Sequence, residues 1–293
     1  MHTPFQTLRD LLRYAVTRFN RAGLAFGHGS GSAYDEAVYL ILHALRLPLD
    51  QLDPFLDARL LPDEIESLIN IIERRTTERL PAAYITNEAW LGDYRFYVDP
   101  RVIVPRSFIA ELIPELFQPW IPDPDAVSNV LELCTGSGCL AIMLADAFPN
   151  ARIDAVDLSA DAIAVARRNV EEYRLQQRVT LWQSDLYDGL PQKKYDLIVS
   201  NPPYVNEASM SSLPDEYRHE PRMALAGGAD GMDLVRKIIA GARQRLNPEG
   251  VLVVEIGNEY AHAQAAFPDL ELTWLPTSAG DEAVFLLTAD QLP

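Results

Sequence analysis

The run Asn201-Pro202-Pro203-Tyr204, a proline turn, follows a short apolar stretch and carries groups suited to holding a planar amine. Two adjacent prolines fix φ twice and lack N–H groups, and the residue before them is pushed toward extended backbone. A strand that ends this way presents the Asn201 side chain and free carbonyls as rigid acceptors for an –NH2 group, and Tyr204 adds a flat face. Taken alone, the run is more simply interpreted as a turn that closes a strand.

A second candidate site is the glycine turn Cys134-Thr135-Gly136-Ser137-Gly138, between an apolar strand and a predicted helix. This arrangement brings a ligand against backbone N–H groups. Ala141 stands where a dinucleotide fingerprint would place its third glycine, and some dinucleotide sites accept alanine there.

Acidic residues accompany three consecutive predicted strands: Glu132 in the first, Asp157 at the end of the second and Asp185 after the third. Each alone would be a solvated strand end. An acid in the position of Asp157 can bind a ribose diol, and Asp185 is placed to meet an adenine amino group. Glu132 would repel a pyrophosphate but accept from a cationic amino acid end. The three together favour S-adenosylmethionine over NAD.

From Val127 onward, apolar runs alternate with helical patterns, which predicts a parallel sheet with helices on both faces. The predicted strands are 129–133, 153–156, 179–182, 196–199, 251–256 and, last, 283–287. The predicted helices are 138–148, 161–173 and 232–246, the last closed by a turn at Asn247-Pro248-Glu249-Gly250.

Residues 1–83 are interpreted as a small helical domain, because apolar residues recur there at helical spacing. Its predicted helices cover 4–22, 33–45 and the residues after Pro62. Residues 84–105 are interpreted as a linker with a β-hairpin around Gly92-Asp93. Residues 106–293, which open on a helix near 109–117, would form the catalytic domain.

The net charge of −17 over 293 residues disfavours a direct nucleic-acid substrate, since counterion release draws such proteins toward a basic surface. Basic proteins are the more favourable partners. The absence of a long apolar run or a secretory leader predicts no membrane contact and no export. Two cysteines and five scattered histidines predict a reducing cytoplasm and no metal site.

The sheet half resembles a class I S-adenosylmethionine-dependent methyltransferase. The pairing of Leu-Glu-Leu-Cys-Thr-Gly-Ser-Gly with Asn-Pro-Pro-Tyr narrows the resemblance to a family that methylates the side-chain amide (N5) of glutamine in translation proteins. One branch acts on peptide chain release factors and another on large-subunit ribosomal protein L three. Five further runs resemble the ribosomal branch: 26–29, 97–107, 213–221, 224–228 and 230–231. The resemblance covers nearly the whole chain.

The resemblance implies an α/β fold: a doubly wound, Rossmann-like class I methyltransferase sheet with its last strand antiparallel, preceded by a small all-α substrate-recognition domain and a hairpin linker. With Glu132 added from its charge, the expected S-adenosyl-L-methionine contacts are Glu132, Cys134, Thr135, Gly136, Ser137, Gly138, Asp157, Asp185, Leu186 and Asn201. The expected substrate contacts are Asn201, Pro202, Pro203, Tyr204 and Arg106. Catalysis is expected from Asn201, Pro202 and Tyr204.

Two positions depart from the wider family pattern. Cys134 stands where the family usually has glycine. The release-factor branch carries an Arg-Pro-Glu-Thr-Glu run where this chain has 106–111, which favours the ribosomal branch. The expected partner is therefore the basic ribosomal protein, before or during ribosome assembly.

The residues allow a simple mechanism, in which the acceptors Asn201 Oδ1 and the Pro202 carbonyl hold a poorly nucleophilic amide nitrogen and stabilise its developing charge. Tyr204 would pack on the flat amide. Alternatives are methylation of release factors, amino-methylation of a nucleic-acid base, a non-enzymatic ribosome-assembly factor and a nicotinamide dehydrogenase. Intact Asp157 and Asn201 argue against the third, and Glu132 argues against the fourth.

Overall fold

The computed structural model describes residues 5–293, and the chain forms two compact units. The first unit runs from the start of the chain to Ala89 and also includes Pro214–His219. The second unit comprises Trp90–Leu213 and Glu220–Pro293. Within residues 5–293, no helix has the length and apolar character needed to cross a bilayer.

The first unit is helical, as predicted for the N-terminal part of the chain. Its helices are α1 (Leu8–Ala22), α2 (Ala33–Ala44), α3 (Pro62–Glu73) and α4 (Ala82–Thr86), with a π-helical turn at Arg74–Glu78. The helix predicted from residue 4 begins only at Leu8, because Thr7 and Asp10 form a capping box that fixes the start. Residue 4 itself lies outside the described part of the chain.

A buried charge cluster holds Pro214–His219 within the first unit. The Arg75 guanidinium, 1% exposed, donates to Glu36 Oε1 at 2.6 Å and to Glu216 Oε1 at 3.4 Å. Burial raises the pKa of Glu216, but hydrogen bonds from its own backbone and from Ala25, with the nearby arginines, bring the pKa below its ordinary value. The Tyr217 ring packs against the His28 ring in a tilted arrangement, with ring centroids 4.4 Å apart. Two of the runs that carried the family resemblance therefore meet here.

The second unit contains a seven-stranded sheet, and the predicted hairpin precedes it as β1 (Glu88–Leu91) and β2 (Tyr94–Tyr97). The sheet strands are β3 (Asn129–Leu133), β4 (Arg152–Asp157), β5 (Val179–Gln183), β6 (Tyr195–Ser200), β7 (Leu246–Glu255), β8 (Thr273–Thr277) and β9 (Gly280–Thr288). The strand order is β5-β4-β3-β6-β7-β9-β8. Neighbours from β5 to β7 are parallel, and β9 runs antiparallel to both β7 and β8. The predicted fold class, with its antiparallel last strand, is confirmed.

Helices cover both faces of this sheet and pack against it through two apolar cores. The helices are α5 (Ile109–Leu112), α6 (Cys139–Ala147), α7 (Ala160–Glu172), α8 (Glu207–Ser212), α9 (Asp233–Arg245) and α10 (Tyr260–Ala266). Strands β3, β4 and β6 and the second half of β7 are largely apolar in the sequence because both of their faces are buried, whereas the edge strand β5 is only partly buried.

Three details of the chain differ from the sequence prediction. The run Asn247–Gly250 does not stand as a separate turn; it lies within β7, where the pairing register shifts between Tyr195 and Leu197. The helix expected near 109–117 ends at Leu112, because Pro114 lacks an N–H and a 3₁₀ turn follows. Helices α4, α8 and α10 and the edge strand β8 were not predicted.

Candidate active site

The glycine turn and the proline turn leave the sheet side by side. Strands β3 and β6 are neighbours, with Leu133 and Ser200 as register partners, and the strand order reverses between them. The Ser200 hydroxyl donates to the Leu133 carbonyl at 3.0 Å. Ligands of open α/β sheets bind at such a switch point, outside the carboxyl ends of the strands.

A cleft opens at this point, and the space within it, open solvent included, is about 970 Å³. The predicted site residues that line it are Arg106, Glu132, Cys134, Thr135, Gly136, Ser137, Asp157, Asp185, Leu186, Asn201 and Pro203. Gly138, Pro202 and Tyr204 lie outside the lining: Gly138 packs on α7, Pro202 is buried and Tyr204 is half-buried.

The glycine turn depends on left-handed backbone. Gly138, at the start of α6, has φ +80°, and a Cβ there would lie 3.2 Å from the Ala166 Cβ on α7. Cys134 has φ +61°, a conformation that costs a non-glycine residue roughly 1–2 kcal/mol. Glycine adopts this backbone conformation at lower cost, which agrees with the glycine expected at this position from the wider family pattern. Burial, with the nearby Asp157 charge, raises the pKa of the Cys134 thiol, so the thiol stays protonated at neutral pH.

Asp157, at the end of β4, braces the glycine turn. Its Oδ2 accepts from the Gly136 N–H at 2.8 Å, and its Oδ1 accepts from the Ser159 N–H at 2.9 Å. Burial raises the pKa of Asp157, although these backbone hydrogen bonds oppose the rise. Each carboxylate oxygen has a second lone pair, so Asp157 can brace the turn and still accept from a ligand in the cleft.

Glu132 is 1% exposed and accepts from the Thr135 hydroxyl at 2.5 Å. Burial raises the pKa of Glu132 to about 8, against hydrogen bonds from Thr135 and the Ala141 backbone. Within residues 5–293 no Lys or Arg forms an ion pair with it. An arriving cation in the cleft would favour the ionised form of Glu132.

Asn201 presents its amide to the cleft. Among residues 5–293 its side chain has no hydrogen-bond partner, and it is half-buried in the cleft wall. The run 224–228 packs against the rest of the proline turn: a Cβ on Gly227 would lie 2.7 Å from the Tyr204 Cα and 2.8 Å from the Pro203 carbonyl oxygen. Val205 donates to the Leu225 carbonyl, and Gly227 donates to the Val205 carbonyl, both at 2.9 Å.

Arg106, predicted to bind substrate, has its guanidinium fork on a buried carboxylate. Its Nη1 and Nη2 donate to the Glu220 oxygens at 2.5 and 2.7 Å. The same carboxylate accepts from the Val104 N–H at 2.9 Å. The pair therefore joins two lining segments, 101–107 and 221–224, and a contact between Arg106 and the substrate stays a prediction.

Three further residues support the site and were not predicted from the sequence: Asn169, Glu220 and Glu255. Asn169, fully buried on α7, donates to the Ser137 carbonyl at 2.8 Å and also bonds the Tyr97 backbone. The one available signal was a polar residue on the apolar stripe of α7. Glu220 lay within a run that carried the family resemblance, but nothing there indicated its partner. Glu255 ends β7, and burial raises its pKa to about 7.

The sheet order, its antiparallel last strand and the two turns at the switch point define a class I methyltransferase. A family model described as "Methyltransferase small domain" matches residues 115–214. The catalytic domain of hMettl16, solved with MAT2A 3′UTR hairpin 1, shares the fold at a TM-score of 0.50 and 13% identity, covering 98% of this chain and 93% of that chain.

Curated relatives narrow the class. The Burkholderia pseudomallei "Ribosomal protein uL3 glutamine methyltransferase" is 64% identical over 99% of this chain and 97% of its own. Relatives of the same description from Bordetella pertussis and Neisseria gonorrhoeae are 62% and 58% identical over 98% of this chain, and over 96% and 95% of their own. The chain belongs to the ribosomal protein uL3 glutamine methyltransferase family, so the predicted ribosomal branch is confirmed over the release-factor branch.

Proposed function

We propose that this chain transfers a methyl group from S-adenosylmethionine to the side-chain amide nitrogen (N5) of a glutamine in ribosomal protein uL3. The observation that carries the proposal is the Asn201 amide, which faces the cleft without a protein partner beside the glycine turn. The names of the relatives supply the substrate class.

The cleft has groups that fit each part of S-adenosylmethionine. Asp157 suits the ribose diol, Asp185 and Leu186 suit the adenine, and Glu132 suits the cationic amino acid end. The glycine turn, residues 134–138, supplies backbone at close range. When bound, the cofactor provides an activated methyl group, which needs little covalent help from the protein.

The proline turn then orients the nucleophile. Asn201 Oδ1 and the Pro202 carbonyl accept from the two N–H groups of the glutamine amide, and Tyr204 packs on its flat face. These acceptors hold the nitrogen toward the methyl group and stabilise the positive charge that develops on it. The nitrogen would gain the methyl group as the methyl–sulfur bond breaks, and S-adenosylhomocysteine would leave. The nitrogen would then release one proton to solvent, so no strong base is needed beforehand.

The partner is a basic ribosomal protein, met before or during ribosome assembly in the cytoplasm. The net charge of −17 favours such a partner through long-range attraction. We assign recognition of the substrate protein to the helical unit, which contains residues 26–29 and most of 213–221, two of the runs that resemble the ribosomal branch.

The test is methyl transfer from labelled cofactor to unmethylated uL3, release factors, and duplex DNA and RNA, with the modified residue read by mass spectrometry. Label on a uL3 glutamine is expected. Label on release factors or nucleic acid alone would overturn the proposal.

Asn201→Ala separates binding from transfer. Turnover should fall on the order of 10²-fold or more, because an acceptor for developing charge is lost, while calorimetric affinity for S-adenosylmethionine stays near normal. Asn150→Ala, at an exposed position before β4 and outside the cleft lining, is the matched control and should behave as wild type. Equal losses of affinity and turnover in Asn201→Ala would refute its assigned role.

A further inference from the structure

The end of β7 and the loop that follows it contact the proline turn and the residues just after that turn at three points. Glu255, Gly257 and Glu259, within the five-residue clamp segment Glu255–Glu259, each meet Tyr204 or Asn206. The mechanism above uses none of the three. All of them lie in the second unit, as does the proline turn.

Glu255 is 1% exposed, and its carboxylate is shared between two parts of the site. Oε2 accepts from the Ser107 hydroxyl at 2.5 Å and from the Phe108 N–H at 2.9 Å. Oε1 lies 3.4 Å from the Tyr204 hydroxyl. One buried group therefore joins the Tyr204 ring to the start of α5, next to the cleft-lining residue Ser107.

Gly257 and Glu259 restrain the same stretch at two further points. A Cβ on Gly257 would lie between 2.6 and 2.9 Å from the Cε2, Cζ and hydroxyl oxygen of Tyr204, so the ring rests on bare backbone. Glu259 is 6% exposed, and its two oxygens accept from the Asn206 Nδ2 at 2.7 and 2.9 Å. The exit of the proline turn is thereby fixed as well.

We infer that Glu255 is a positioning residue for the methyl transfer, acting through the Tyr204 hydroxyl, with Gly257 and Glu259 fixing the ring and the exit of the turn. The inference rests on the proposed function, because Tyr204 matters only if a planar amide lies against it. A ring free to rotate would hold that amide less well, and small misplacements of reacting groups reduce rates strongly.

The chemistry of Glu255→Gln can be read from its neighbours. The backbone N–H groups of Phe108 and Ile109 fix the remaining carbonyl oxygen on the Oε2 side. The new –NH2 group then faces the Tyr204 hydroxyl, so the hydroxyl loses the carboxylate oxygen to which it donated and can at best accept a bond in the reverse direction. Tyr204→Phe removes the hydroxyl alone and leaves the ring and the other Glu255 bonds in place.

The experiment is a double-mutant cycle on full-length protein with uL3 as substrate. Each single variant should lower kcat about tenfold, leave the cofactor Kd within about twofold and change KM for uL3 little. The double variant should also lose about tenfold rather than a hundredfold, because both changes break one interaction. Glu249→Gln, the same change at an exposed position of β7, is the matched control and should keep wild-type kcat.

Several results would overturn the inference. One is full kcat in Tyr204→Phe, which decides the matter even if Glu255→Gln fails to fold. Others are multiplicative losses in the double variant, or a fall in cofactor affinity as large as the fall in kcat. A wild-type protein that methylates no uL3 overturns both this inference and the proposed function, whereas active wild type with fully active variants overturns the positioning role alone.

Discussion

The glycine turn and the proline turn lie beside each other at the carboxyl ends of the central strands β3 and β6. They achieve close backbone contact in opposite ways. In the glycine turn the small residues are inside the turn, where Gly138 adopts φ +80°. In the proline turn the turn itself is stiff, and Gly227 and Gly257 belong to the segments that pack against it. A turn that offers N–H groups needs conformational freedom, whereas one that offers carbonyls benefits from proline. Substitutions in the two regions should therefore fail for different reasons.

The largest effect is expected from Gly227→Ala. The added Cβ would meet the Tyr204 Cα and the Pro203 carbonyl at 2.7–2.8 Å, and backbone cannot move aside as a side chain can. We expect about 3 kcal/mol or more of lost stability, as for overpacked cores, together with a displaced turn and little activity. Urea unfolding and turnover measure these effects.

Gly136→Ala, in the other turn, is the matched comparison for Gly227→Ala. Gly136 has φ +55° but open space around its Cβ position, so the loss should be near 1 kcal/mol. Equal losses in the two variants would contradict the contrast between the turns.

A second effect concerns pH and depends on Glu132, the buried residue that accepts from Thr135 in the glycine turn. The pKa of Glu132 is about 8 in the folded chain, above the ordinary value of 4.5. A raised acid pKa contributes stability that is fully present below about pH 4.5 and is lost as pH rises through 8. Wild type should therefore lose on the order of 3 kcal/mol relative to Glu132→Gln between pH 5 and 9. Urea unfolding at several pH values measures the difference, and a constant difference would contradict it.

Asp157→Asn should have a smaller effect on stability but a clear one on the cofactor. The carboxylate accepts from two backbone N–H groups, at Gly136 and Ser159, and an amide can accept through one oxygen only. One buried N–H is left facing a donor, which costs about 1–3 kcal/mol. Calorimetry should show at least tenfold weaker binding of S-adenosylmethionine. Unchanged binding would remove Asp157 from the cofactor site. Asp161→Asn, at an exposed position of α7, serves as the control.

The smallest expected effect is that of Cys134→Gly. Relief of the left-handed backbone at φ +61° is offset by lost packing and by greater freedom of the unfolded chain, so the net gain should not exceed about 1 kcal/mol. Thermal unfolding measures the shift. A loss above about 2 kcal/mol would show that the thiol contributes packing that outweighs the strain.

The sequence predicted the parts of the site that depend on local patterns. Apolar runs located β3 to β7, and the central strands among them are the most continuous in hydrophobicity because both of their faces are buried. The glycine and proline turns followed from residue types at strand ends. These features need no knowledge of distant contacts.

The parts that escaped prediction depend on residues far apart in the chain. Glu255 and Tyr204 are separated by 51 positions, and Arg106 and Glu220 by 114. No local pattern distinguishes a buried glutamate that holds a turn from one at the end of any strand. The register irregularity in β7 was missed because Asn-Pro-Glu-Gly has the composition of an ordinary turn.

The six residues Pro214–His219 restrict where the gene can be truncated or recombined. Glu216, with its side chain 0% exposed, and Tyr217 find their partners among residues that precede Ala89. A truncated gene that begins at Trp90 would encode these six residues but not the arginines and the histidine that surround them. Such a fragment would expose an orphaned carboxylate and an aromatic ring in the middle of its own sequence. An exchange of the N-terminal part between relatives must therefore carry positions 214–219 with it.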